Sequence, residues 1–160
     1  MKEIFRTFIC VFFFIFPLNT KSQAVSFEKF LDETEILYSV QQTSDHGYIL
    51  SGIGTDEESD FSLLIKTNQT GDSVWTKKFP GIGNTNGYRT MAIQTSDGGY
   101  ALIQSMDESE NIDILMIKTD ALGNVVWQEQ YGDSVDELSW SVEQTKDVGY
   151  LRTAHTEEYT

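Results

Sequence analysis

The chain has 160 residues, 39% of them hydrophobic and 22% charged, with 25 Asp and Glu against 11 Lys and Arg and a formal net charge of −14. That length holds one ordinary domain with a sizeable core, and so acidic a balance argues against nucleic acid or an anionic membrane surface as partner, since both would repel it. A single cysteine, Cys10, supports no intrachain disulfide framework.

The first element is the segment Met1 to Ala24. It opens with the basic residues Lys2 and Arg6, continues through the short apolar stretch Thr7 to Phe16, and ends after Pro17 with small residues at Ser22 and Ala24. A basic start, a short greasy centre and a small-residue end define a secretory signal peptide, with cleavage expected after Ala24. A spanning helix needs about 20 apolar residues, and this run is too short for one. Cys10 lies at the beginning of the apolar centre, whereas a lipoprotein signal would place its cysteine just after it. Cleavage removes Cys10, three cations and one acid, taking the formal charge from −14 to −16. The expected product is an exported, cysteine-free chain, secreted or held at the cell surface, with no membrane insertion after cleavage and stability that must come from packing.

The remainder, 25–160, repeats itself. Gln42-Thr-Ser-Asp45-His-Gly47-Tyr48 returns as Gln94-Thr-Ser-Asp97-Gly-Gly99-Tyr100 and as Gln144-Thr-Lys-Asp147-Val-Gly149-Tyr150. Leu63-Leu-Ile65-Lys66-Thr67, followed by Gly71 and Val74-Trp75, returns as Leu115-Met-Ile117-Lys118-Thr119, followed by Gly123 and Val126-Trp127. A fixed period of about 50 residues signals a repeat architecture in which each unit buries its faces on its neighbours.

In chain order, Val25-Ser-Phe27-Glu-Lys-Phe30 predicts a lone outer strand over 25–31. The first unit spans about 36–81. Its opening strand alternates Ile36, Tyr38 and Val40 on one face, as Leu138, Trp140 and Val142 do in the third unit. Thr43 to Gly47 is a hairpin turn, in which Asp45 caps backbone N–H groups two residues before a turn glycine. Tyr48 and Leu50 mark a second strand, Phe61, Leu63 and Ile65 a third, and Val74 to Phe79 a fourth. The second unit spans about 88–133 in the same order, and the third, 138–160, carries only its first two strands. The predicted fold class is therefore all-β: β-propeller-like repeats of four antiparallel strands, incomplete, with fewer than three blades, and essentially no helix. Known propellers use about 4–8 blades, so a closed ring needs more chain than this. A fragment of a longer protein, an assembly of several copies with self-association, or an open stack would each meet that need.

The two repeated motifs together resemble the repeat of large secreted bacterial and archaeal β-propeller-like proteins. Those proteins often carry a C-terminal sorting domain, and none is recognisable before Thr160. The resemblance covers nearly all of 25–160 and implies architecture rather than activity. Gly71 to Trp75 and Gly123 to Trp127 are similar to the repeat end of quinoprotein propellers, where the tryptophan packs between blades, and Thr95 to Gly99 resembles the Asp-box turn of sialidase propellers, itself a fold element.

No catalytic set is legible. His46 occupies a turn position held by Gly98 and Val148 in the sister units, so the turn does not need an imidazole, and His155 lies in the incomplete third unit; two isolated histidines do not make a zinc site. The acidic segments Asp56 to Asp60 and Asp107 to Asp113 fall between second and third strands as polar loops whose oxygens suit calcium, although neither follows the EF-hand pattern. Asp45, Asp97 and Asp147 are turn makers, Tyr48, Tyr100 and Tyr150 pack between units, and Lys66 and Lys118 flank the end of the third strand. No cofactor-binding, metal or catalytic residue is assigned. The leading expectation is an exported, non-enzymatic binding or scaffold module meeting an extracellular glycan, peptide or protein. The alternative is a fragment of a propeller enzyme, hydrolase or quinoprotein-like, whose active site lies in other blades.

Overall fold

The computed structural model describes residues 35–57, 59–80, 89–108 and 111–157; the signal peptide expected over 1–24 and the lone strand expected over 25–31 lie outside them. Among the described residues there is no helix, and all regular structure is antiparallel strand. Sheet 1 comprises β1 (Glu35–Gln42), β2 (Tyr48–Thr55), β3 (Asp60–Thr67) and β4 (Ser73–Pro80), in that spatial order. Sheet 2 repeats the pattern with β5 (Thr90–Gln94), β6 (Tyr100–Glu108), β7 (Asn111–Thr119) and β8 (Val125–Tyr131). Sheet 3 pairs β9 (Asp136–Gln144) with β10 (Tyr150–Glu157). Each strand follows its predecessor in sequence and in space, so the chain meanders through each sheet on hairpin connections.

Burial explains why the third strand of each unit reads as a continuous apolar run. In β3, Leu63 and Leu64 are both fully buried although they point to opposite faces. Leu64 joins Ile49 and Phe79 of sheet 1 against Ala92, Tyr100, Leu102, Leu115 and Ile117 of sheet 2. Phe61, Leu63 and Ile65 cluster on the other face with partly buried Leu37 and Leu50. The same logic recurs one sheet further on, where Ile93, Ala101, Ile103, Ile114 and Met116 pack against Val142 of sheet 3. With about 1.5–3 kcal/mol for each fully buried aliphatic side chain, these face-to-face layers dominate the stability.

Two sequence expectations need correction. The alternation of Ile36, Tyr38 and Val40 predicts one shared face, but a β-bulge falls between Leu37 and Ser39, so Ile36 pairs with Ile53 while Val40 pairs with Leu50. Residues 50 and 53 lie on opposite faces of β2, and Ile36 and Val40 are therefore divided between faces. In the third unit the extra residue is Trp140 of β9, skipped between the pairs Ser139–Ala154 and Ser141–Thr153, and it does the same to Leu138, opposite His155, and Val142, opposite Arg152. The second correction concerns Asp107 to Asp113. The ladder of β6 and β7 continues to the pair Glu108 and Asn111, so most of that segment is strand and not loop.

Candidate functional site

The repeated polar residues converge at the turn after each first strand. Thr43 N donates to Gly47 O at 2.9 Å and His46 N to Thr43 O at 2.9 Å, closing the hairpin. Within it, Asp45 Oδ1 accepts from Thr43 Oγ1 at 2.5 Å and from Gly47 N at 3.1 Å. Lys66, from the end of β3, folds its ammonium under the turn, donating to Asp45 Oδ2 at 2.8 Å and to Thr67 O at 2.7 Å. Its side chain is 6% exposed, against 62% for Asp45, so the pair joins a buried cation to a carboxylate that still meets water. The second unit copies this: Thr95 and Gly99 donate to Asp97, and Lys118 reaches Asp97 at 2.9 Å and Thr119 O at 2.8 Å.

These donors fix the charge state of the turn. The Lys66 ammonium first, then the Thr43 hydroxyl, hold the Asp45 carboxyl well below its ordinary range. In the second unit the Thr95 hydroxyl leads and Lys118 follows, lowering Asp97 to about 2. Asp147 is also lowered, chiefly by the hydrogen bond from Thr145.

The turns are stitched from unit to unit. Ser44 N donates to Gln94 Oε1 at 2.8 Å, and Ser96 N to Gln144 Oε1 at 2.7 Å, so Gln94 and Gln144 each cap the turn of the preceding unit. The repeated aromatics do likewise: Trp75 meets Tyr100 edge to face at 5.6 Å, and Trp127 meets Tyr150 at 5.8 Å. Burial, then the nearby Asp45 carboxylate, raises the Tyr100 phenol. Every one of these contacts crosses between units or closes a turn.

The remaining candidates divide differently. His46 sits at φ 66°, the left-handed position that Gly98 and Val148 also occupy at 82° and 62°; the site asks for a backbone conformation. His155 lies on β10 opposite Leu138, far along the chain from His46 and in a different sheet. In the first acidic segment, Asp56 accepts from Ser59 N at 3.2 Å and from Lys78 Nζ at 3.2 Å, and Asp60 accepts from Thr55 Oγ1 at 2.6 Å. In the second, Asp113 Oδ2 accepts from Gln130 Nε2 at 2.7 Å. Among the described residues no group of three or more His, Cys, Asp or Glu is placed to hold a metal ion. Nor is any helix there long and apolar enough to cross a membrane.

The concave feature that sequence reasoning missed is a groove of about 450 Å³ between the outer strands of sheets 1 and 2. Phe79, Met106, Leu115 and Ile117 form its apolar part, and Gln128 and Gln130 of β8 supply amides. It exists because β8 carries glutamines opposite Ile117 and Leu115, on the face turned toward sheet 1. No family model matches the chain, and no curated protein matches it.

Proposed function

We propose that the chain is an exported, non-enzymatic scaffold or binding module built from propeller-type repeats, whose loops and grooves meet an extracellular glycan, peptide or protein. The observation that carries this reading is the fate of the repeated polar residues. Thr43, Asp45, Lys66 and their counterparts in the second unit all close turns or tie strands, and Gln94 and Gln144 cap neighbouring turns. The chemistry that recurs is spent on architecture, and specificity then falls to residues that do not recur. Gln128 and Gln130 of the inter-sheet groove are such residues, since Thr76 and Lys78 hold their places in the first unit, and their amides beside the groove's apolar wall make a mixed surface that suits a sugar face or an extended peptide.

The propeller-type reading is supported by two four-stranded units and a two-stranded third, stacked face to face through the same Trp–Tyr and Ser–Gln contacts. Export is supported by the Lys2 to Ala24 pattern. Purified protein on glycan and peptide arrays tests the binding reading, with Gln128→Ala and Gln130→Ala expected to lower the signal of any hit. Measurable turnover on a panel of glycosides and alcohols would overturn it in favour of an enzyme. N-terminal sequencing of the exported product tests the signal, with Val25 the expected first residue.

A further inference from the structure

The three units allow one position to be compared with and without a neighbouring sheet. Val40, Ala92 and Val142 hold the same place, two residues before the repeated glutamine. Ala92 and Val142, each with a preceding sheet to pack on, are 1% and 2% exposed, whereas Val40 is 65% exposed. On the opposite face, Ile49, Ala101 and Leu151 are equivalent, each one residue after the repeated tyrosine. Ile49 and Ala101, with a following sheet, are 0% exposed, and Leu151 is 59% exposed. The two ends of the described stack thus carry the two halves of one interface that the chain builds internally twice.

The polar groups of the two ends match as well. At the interface between sheets 1 and 2, Ala92 N donates to Ser39 Oγ at 3.2 Å, and Gln94 N donates to Gln41 Oε1 at 2.7 Å. The residues equivalent to Ser39 and Gln41 in the third unit are Ser141 and Glu143, both able to accept a backbone N–H. The residue equivalent to Ser96, whose N–H donates to Gln144, is Lys146, and the residue equivalent to Gln144 is Gln42. A concave patch of about 260 Å³ lined by Leu37, Tyr38, Val40 and Leu50 gives the first end its shape.

We propose that the two ends bind each other between molecules: a second copy of this chain docks head to tail, its Val40 end on the Leu151 end of the first. Val40 N of the second copy donates to Ser141 Oγ, its Gln42 amide oxygen accepts from Lys146 N, and its Val40 side chain covers Leu151. This rests on the equivalence of the units and not on the ligand-binding reading above. Because the two surfaces differ, the contact is heterologous, and repeated copies either close a ring or continue as a filament. Sheet 3 offers two described strands where sheets 1 and 2 offer four each, so the contact is weaker than the one between those two sheets and depends on concentration. The copies are acidic and repel, so added salt strengthens it.

Sedimentation velocity on the purified full chain tests the proposal with two variants, Val40→Arg and Leu151→Arg, each at an exposed position that the isolated fold tolerates. The wild type is expected to gain mass with concentration, and each variant alone to stay monomeric with an unchanged melting temperature. An equal mixture of the two is expected to form pairs and nothing larger, because each variant retains the face the other needs. Should either arginine lower the melting temperature, Val40→Thr and Leu151→Thr replace them with the same expected pattern. A wild type that remains monomeric at every concentration overturns the proposal. So does assembly that survives both substitutions, and so does a mixture that stays monomeric.

Discussion

The turns that open the first two units and the turn that opens the third share the sequence Thr-x-Asp-x-Gly but not their surroundings. Thr43 and Thr95 are buried, and Lys66 and Lys118 lie beneath their turns from the adjoining third strands. Thr145 is exposed, and among the described residues no lysine reaches Asp147. Yet the third turn closes with the same bonds, Thr145 N to Gly149 O at 2.9 Å and Val148 N to Thr145 O at 3.0 Å. The hairpin is therefore self-sufficient, formed by a threonine and an aspartate folding onto their own backbone. What the lysine adds is a tie from the turn to a strand 21 residues further along the chain.

The largest break in that comparison comes from the turn glycines. A Cβ on Gly47 would lie 2.1 Å from Thr67 O and 2.5 Å from Lys66 Nζ, and one on Gly99 would lie 2.2 Å from Thr119 O. On Gly149 it would meet only Thr145 Oγ1 at 3.0 Å and Asp147 Oδ1 at 3.6 Å. Gly47→Ala and Gly99→Ala are expected to cost about 4 kcal/mol each, at the upper end for point changes, because backbone must move. Gly149→Ala is expected to cost under about 1 kcal/mol. Urea denaturation of the three variants checks this, and equal losses would show that the tie to the third strand is not what crowds the turn.

Next in size is the ion pair. Asp97→Asn leaves the Lys118 ammonium buried with a neutral partner, and about 2 kcal/mol is expected, below the figure for a fully buried pair because Asp97 itself meets water. Asp147→Asn, with no lysine at stake, is expected to lose less. Melting of both variants decides the order; the reverse order would mean that the turn, and not the lysine, depends on the carboxylate charge.

A smaller effect separates the turns by backbone. Val148 holds φ 62°, where a β-branched side chain crowds its own backbone, whereas Gly98 holds the same conformation without cost. Val148→Gly is expected to stabilise the third unit by about 1 kcal/mol. A lower midpoint in denaturant would show that the exposed valine makes contacts worth more than the strain.

Much of this was legible beforehand. The recurrence, the four-strand unit and the turns at Asp45, Asp97 and Asp147 are written in short motifs, because turn chemistry is local. The bulge beside Tyr38 was not, since a period of two runs through an inserted residue without a mark. Nor was the burial of Lys66 and Lys118. Lysine signals surface, and only the distant aspartate makes a buried ammonium tolerable. The inter-sheet groove was hidden for a related reason: nothing local to Gln128 and Gln130 tells that they share a groove with Phe79, which lies in the outer strand of the neighbouring sheet.

The smallest expected effect is the pH dependence of the same turns, and it isolates the electrostatic part of the tie. Asp97 falls from 3.8 to about 2 in the folded chain, because Thr95 and Lys118 both donate to its charged form. A carboxyl whose folded value is depressed contributes stability that is complete above the unfolded value. That stability fades as pH drops through the window from 3.8 to about 2. Asp45 behaves in the same direction and holds its proton off to still lower pH. Both side chains are well over half exposed, so solvent screening reduces the contribution of Asp97 to under about 1 kcal/mol. Melting temperature followed from neutral pH to pH 2 should therefore fall more steeply for the wild type than for Asp97→Asn, with the gap between the two curves narrowing toward the acid end. Parallel curves would show that Lys118 is held by Thr119 O and by packing, and that the charge on Asp97 contributes nothing to the difference between the second turn and the third.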